Sequence, residues 1–314
     1  MNRIIRSAVI GVVGVMGISS AGQAAPFDPK TVSSDAKWVV HIDVDAMSKT
    51  DTWKLVQPKL ENNAKYAKGK RDIERVGQLK LPDDLHDVTL FGPTVGEKEA
   101  VVIIRANVNP ERLKTLVSLN ETYSASTVGG HQLHSWDDKG KTMFSGFAGD
   151  GRIVIGQSKD EVVAALDTIA GKLDPLKNAV LAPQQTNAGM LVYVAGDQLG
   201  EIGQQAARSP MIQKLKSAWI TVTEDPIKGL KVKSQIVADD EKTATNVKGT
   251  IDGLKAAVSF AGQDDPDALL VSEAVLDLTA TATGNNIDID WNVPIQNVSD
   301  LLERATGDIQ KNTK

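Results

Sequence analysis

The sequence predicts an α+β protein made of two related halves, each a mostly antiparallel sheet with helices packed on one face. Three observations carry that prediction. Strand and helix patterns come in mixed runs rather than in strict alternation. Turn dipeptides separate neighbouring strand patterns closely enough for hairpins. One strand-to-helix stretch, residues 37–45 (KWVVHIDVD), returns as residues 190–197 (MLVYVAGD). Aligned on their terminal Asps, Trp38 matches Met190, Val40 matches Val192, His41 matches Tyr193 and Ile42 matches Val194. Both copies continue as helix, strand, strand, helix, hairpin, helix. The expected organisation is a signal peptide over 1–24, a first half over 25–173, a linker over 174–188 and a second half over 189–314.

The amino terminus reads as an export signal. Arg3 and Arg6 precede an apolar run over 8–18, and Gly22-Gln23-Ala24 supplies small residues for a cut after Ala24. The run falls short of the ~20 residues that a membrane span needs, and no later stretch approaches that length. The cut removes two arginines and no acid, so the formal charge moves from −5 to −7. Scattered acidic charge excludes the basic face that nucleic acid demands. The absence of Cys excludes disulfides, thiol nucleophiles and Cys-ligated metal, so the exported chain is held by its core alone.

In chain order, residues 37–45 alternate Trp38, Val40, Ile42 and Val44 against His41, Asp43 and Asp45, the pattern of a half-buried strand with Asp45 capping the next helix. A helix follows over 46–66, interrupted near Pro58, with a short one at 73–79. Residues 87–92 and 100–106 read as strands, the second apolar enough to be covered on both faces. Asn109 caps a helix with Pro110 at its first position and Leu113, Leu116 and Val117 inward. A meander over 123–156 turns at Gly129-Gly130, Lys139-Gly140 and Asp150-Gly151. Ser158 and Glu161 form a capping box over a helix that ends at Gly171.

The second half opens on 190–197 and a helix through Leu199, Ile202 and Ala206, restarting at Ser209-Pro210. Strands follow at 218–223 and 230–237, then a long helix over 240–261 with a Gly249-x-x-x-Gly253 spacing that invites close packing of another backbone. Residues 267–273 are ambiguous. Residues 274–283 and 287–292 form a hairpin over Gly284-Asn285, and a helix over 295–305 closes the chain before Gly307.

The sharpest chemical constellation is His41-x-Asp43-x-Asp45. An imidazole and two carboxylates on one strand face suit a divalent ion, or a base with an orienting acid. The second copy keeps only the last Asp and has Tyr193 and Ala195 elsewhere, which favours a capping role for Asp45. His131 and His134 are three apart in a strand and fall on opposite faces. Asp43-x-Asp45 and Asp288-x-Asp290-x-Asn292 open like calcium loops and fail. Met47 and Lys54 occupy ligand positions in the first, and Val293 replaces the turn Gly in the second. Ser34-Asp35-Ala36-Lys37 has serine–lysine spacing but leads into a strand.

The stretches WVVHIDVDAM, DVTLFG, HSW and GDGRIVIGQSKDEVVAALD resemble a family of exported bacterial proteins of planctomycete type that has no assigned activity. The resemblance implies export and fold and brings no functional residue. The expected function is a non-catalytic binding or scaffolding role in the bacterial envelope, periplasmic or secreted. It needs no cofactor, and its partner is another envelope protein or a small ligand. The alternative is a divalent-metal-binding protein or metal-dependent hydrolase using His41 and Asp43. A third possibility, an inhibitor or chaperone-like partner of another envelope protein, predicts an exposed apolar patch on the sheet.

Overall fold

The computed structural model describes residues 26–94, 98–182, 189–201, 211–225, 227, 229–261 and 266–300. Twelve strands form one antiparallel sheet, in the order β11-β12-β10-β9-β8-β1-β2-β3-β7-β6-β5-β4. They are β1 Trp38–Asp43, β2 Leu85–Gly92, β3 Val101–Ala106, β4 Ser124–Val128, β5 His131–Asp138 and β6 Lys141–Phe147. The rest are β7 Arg152–Gly156, β8 Met190–Asp197, β9 Leu215–Asp225, β10 Gly229–Ala238, β11 Thr279–Thr283 and β12 Asn286–Val293. The helices are α1 Val44–Met47, α2 Asp51–Asn62, α3 Ala64–Gly77, α4 Pro110–Ser118, α5 Lys159–Ile169, α6 Glu241–Ala261 and α7 Pro266–Ala274.

The two 37–45-like stretches lie side by side at the centre of this sheet. β1 pairs with β8 so that His41 faces Tyr193, Val40 faces Val194 and Ile42 faces Val192. From this pair two wings extend by one plan: β1-β2-β3-β7-β6 on one side and β8-β9-β10-β12-β11 on the other, with the β4–β5 hairpin added beyond β6. Residues directly opposite in an antiparallel ladder share a face. One front-face row can therefore be followed across all twelve strands: Ser126, Leu133, Gly146, Val154, Ile103, Thr89, His41, Tyr193, Thr221, Lys233, Asp290 and Thr279.

The two faces are covered differently. On the back, Ile42 and Val88 pack with Trp53 and Val56 of α2. Ile287 and Ile289 pack with Ala244, Val247 and Ile251 of α6. On the front, among the described residues, the cover extends over the first wing and the central strand β8 and does not reach β10–β12. Met190, Tyr193 and Ala195 of β8 are buried there, with Trp219 of β9 against them. Val162, Ala165 and Leu166 of α5, together with Phe27, Val32 and Leu176, pack over Val39, Phe91, Ile103 and Val154. Gly146 is what lets α5 approach, since a Cβ there would lie 2.6 Å from Leu166 Cδ1. The wings are also tied at one end, where the Glu224 carboxylate of β9 accepts from the amides of Asp51 and Thr52 at the positive start of α2.

Helices thus lie on both faces, although all except α5 keep to the back. Several local expectations shift for physical reasons. Strand β1 is not half-buried: Val39, His41 and Asp43 are as enclosed as Ile42, because a layer covers each side. The helix begins one residue after Asp43, and Asp43 rather than Asp45 caps it, accepting from the Ala46 amide at 2.8 Å. Pro58 does not interrupt α2; it lies on the exposed side of the helix, where the Lys54 carbonyl that its missing N–H leaves open is not forced into the core. α3 is longer than the short helix at 73–79, and α4 buries none of its residues, with Leu113, Leu116 and Val117 only half-covered. The ambiguous 267–273 stretch is helical, so the following strand starts at Thr279. The signal peptide, Ile202, Ala206, Ser209-Pro210, residues 183–188 of the linker, and the closing helix beyond residue 300 lie outside the described residues.

Candidate functional site

The His41–Asp43 constellation sits at the centre of the front row. The His41 ring is 2 % exposed and hydrogen-bonds through Nδ1 to Thr89 Oγ1 at 2.9 Å. Phe27 lies 5.6 Å from both the His41 and Tyr193 rings and closes the space in front of the central pair. Burial raises the Tyr193 phenol above its usual pKa, so it stays a neutral hydroxyl. Asp43 is 2 % exposed and holds the start of α1. It stands opposite Asp87, which binds Arg105 Nε at 2.6 Å, and Arg105 stands opposite Arg152. Burial works against the Arg105 charge, and the bond to Asp87 with the surrounding carboxylates overcomes it, for a net upward shift. Asp45 points elsewhere and pairs with His86 Nδ1 at 3.1 Å.

The other histidines lie apart. His131 Nε2 meets Asp167 Oδ1 of α5 at 2.7 Å, and Lys172 reaches the same oxygen at 2.9 Å and the Gly129 carbonyl at 2.8 Å. His131 and Lys172 together hold the Asp167 carboxyl below the usual carboxylate range. This cluster fastens the β4–β5 turn to the end of α5. Its partners are separated by 36 and 41 residues, so no local pattern announces them.

His134 lies on the opposite face of β5, as the three-residue spacing requires. It is 2 % exposed and bonds to the Tyr123 hydroxyl at 2.9 Å, and burial followed by the nearby Lys114 charge lowers its pKa. The four histidines therefore occupy four separate neighbourhoods. Among the described residues, no group of three His, Asp or Glu side chains is placed to hold a metal ion.

Two surfaces remain for recognition. A groove of about 890 Å³ runs between the start of the fold and the end of α5, with Lys30, Ser33, Asp35, Thr168, Lys172 and Asp174 among its walls. Its charges are mixed, and the buried Ser33 hydroxyl has no hydrogen-bond partner among the described residues. Ser34 and Asp35 of the serine–lysine spacing lie on its rim. The second surface is larger: the front of β9–β12, where the alternation places Thr221, Thr223, Lys231, Lys233, Gln235, Asp288 and Asp290. None of these belongs to a core cluster.

Fold and surface together define a class: an α+β protein on one large antiparallel sheet, with an open polar strand face beside a covered one. No family model matches the chain, and no curated protein matches it. Among solved structures, crystal form III of TP0453 is similar with a TM-score of 0.50 at 10% identity, over 90% of this chain and 99% of that one. Crystal form IV of TP0453 gives a TM-score of 0.50 at 9% identity, over 90% and 97%. At these identities the likeness shows a shared fold.

Proposed function

We propose that this chain is an exported, non-catalytic binding or scaffolding protein of the bacterial envelope, built from two halves of common origin. The open front of β9–β12 is its working surface, and another envelope protein is its partner. The observation that carries the proposal is the contrast between the reactive side chains and that face. His41, Asp43, His86, His131 and His134 each support a strand, cap or turn. The front of β10–β12, with Thr221 and Thr223 of β9, instead presents hydroxyl, amide and mixed charged groups outside the core clusters of the described residues. Such a surface suits complementary polar recognition without chemistry. Common origin draws support from the central pair, where the aligned residues His41 and Tyr193 face each other and the wings extend in one order. Export draws support from the amino-terminal pattern of Arg3, Arg6, the apolar run over 8–18 and Gly22-Gln23-Ala24.

The test is site-specific photo-crosslinking in the producing cells. A crosslinker at Lys233 is expected to yield a discrete adduct with another envelope protein. The same group at Leu119, exposed after α4, is expected to yield none. Equal capture at both sites, or no adduct at Lys233, contradicts the reading. Divalent ions added after chelation are expected to leave the thermal midpoint unchanged. A rise that His41→Ala abolishes would move the assignment to metal binding.

A further inference from the structure

We propose that the chain pairs with a second copy of itself through the free edge of β11, continuing the sheet across a two-fold axis at Thr281. A sheet edge presents unpaired amides and carbonyls, and proteins usually blunt it with Lys, Pro, a bulge or a covering element. Among the described residues no strand pairs with the outer side of β11; α6 packs beneath it, and Lys255 of α6 donates to the Leu278 carbonyl just before it. The strand itself carries none of the first three. It is Thr279-Ala280-Thr281-Ala282-Thr283, with no recorded irregularity against β12. Its three Thr side chains are exposed on the front, and its two Ala side chains face the back.

The occupant follows from the sequence of the edge. An isologous contact requires a surface complementary to itself, and Thr-Ala-Thr-Ala-Thr reads the same in both directions. Placed antiparallel on its copy with Thr281 on the axis, Thr279 faces the partner's Thr283, Ala280 faces the partner's Ala282, and Thr281 meets its own copy. Every Thr then lies on the front and every Ala on the back.

The backbone selects the same register. Thr283 and Asn286 flank the two-residue turn Gly284-Asn285, where Gly284 has φ +55°, so they form a hydrogen-bonded pair. By alternation, Thr279, Thr281 and Thr283 direct their amides and carbonyls to β12. Ala280 and Ala282 direct theirs outward. The proposed register sets these outward residues opposite one another, so four backbone hydrogen bonds form and Thr281 occupies a close, non-hydrogen-bonded pair. The opposite edge, β4, is also uncharged, but Ser124-Ala125-Ser126-Thr127-Val128 is not self-complementary. One five-residue edge is a small contact, at the weak end of specific interfaces, so the dimer is expected to depend on concentration.

Sedimentation of the purified protein over a concentration series tests this. The weight-average mass is expected to rise toward twice that of the chain. Thr281→Lys keeps a partner for the new charge in Asp288, which is opposite on β12, but sets two ammonium groups against each other across the axis, so it is expected to stay monomeric. Thr281→Glu alone is expected to do the same, and an equal mixture of the two variants to regain the doubled mass. Ser126→Lys on β4 is expected to dimerise as the parent does. A parent that stays monomeric throughout, a Thr281→Lys protein that still dimerises, or a mixture that fails to recover overturns the proposal. Crosslinking from Lys233 does not depend on these outcomes, so a failure here leaves the front-face reading standing.

Discussion

The two wings of the sheet occupy matching places around the central pair and meet different surroundings. In the front row, stepping outward from His41, the first wing has Thr89 and then Ile103. Stepping outward from Tyr193, the second has Thr221 and then Lys233. Thr89 is 4 % exposed and bonded to His41, and Ile103 is 2 % exposed beneath α5. Thr221 is half-buried and Lys233 exposed. Position in the sheet does not decide what a residue does; the layer above it does. Where α5 covers the strands, polar side chains become internal fastenings. Where no described residue packs above them, the same plan leaves polar side chains at the surface.

The largest expected effect that sharpens this comparison is a truncation beneath the cover. Leu166→Ala empties a fully enclosed site between α5 and the first wing and is expected to cost about 2–5 kcal/mol in urea unfolding. Thr223→Ala on the front of the second wing, only half-buried, is expected to stay within about 0.5 kcal/mol. Equal losses would break the comparison. Gly146→Ala drives a methyl into Leu166 and is expected to cost about 1–3 kcal/mol by the same measurement.

Thr89→Ala takes the hydroxyl from His41 Nδ1 in a buried setting and is expected to cost about 1–3 kcal/mol. Its counterpart Thr221→Ala is expected to stay within about 0.5 kcal/mol.

Part of the pH dependence lies in the first wing, beside contributions from carboxyls such as Asp240 in the second half, whose pKa is also lowered. Burial lowers the His134 pKa on folding, so protonation favours the unfolded chain. Its contribution is intact above the ordinary imidazole value of about 6.5 and is lost as pH falls below it toward the depressed folded value. Asp167 also has a lowered folded pKa, so its contribution is intact above about 4 and is lost as pH falls through the folded value. Urea midpoints are therefore expected to decline in two stages on acidification. His134→Gln is expected to flatten the first, and Asp167→Asn the second.

The strands were legible wherever alternation or an explicit turn marked them. The meander from β4 to β7, the Asn109 and Ser158 caps and the β11–β12 hairpin all stand where turn chemistry placed them. Burial was less legible. The alternation in 37–45 put His41 and Asp43 on a presumed wet face, because a strand pattern shows which residues share a side and not what lies opposite that side. The cover there comes from Phe27, upstream, and α5, more than a hundred residues downstream. The His131–Asp167–Lys172 cluster escaped for the same reason: its members meet only after β5 and α5 have packed. The amphipathic pattern of α4 promised burial that the fold gives only in part, since that helix lies against β5 near the sheet's end. The strands 218–223, 230–237 and 287–292 were legible in the sequence, but the exposure of their front is a property of the assembled layers.

The account rests on the front of β9–β12 lacking cover among the described residues where that of the first wing is closed. The chain has no cysteine, so a single introduced thiol reports on its own site. Thr89→Cys and Thr221→Cys place that thiol at matching positions of the two wings. Maleimide labelling of the folded proteins is expected to be roughly 10-fold or more faster at position 221, since reaction at 89 must wait for local opening of the covered layer. Equal labelling rates at the two positions would contradict the account.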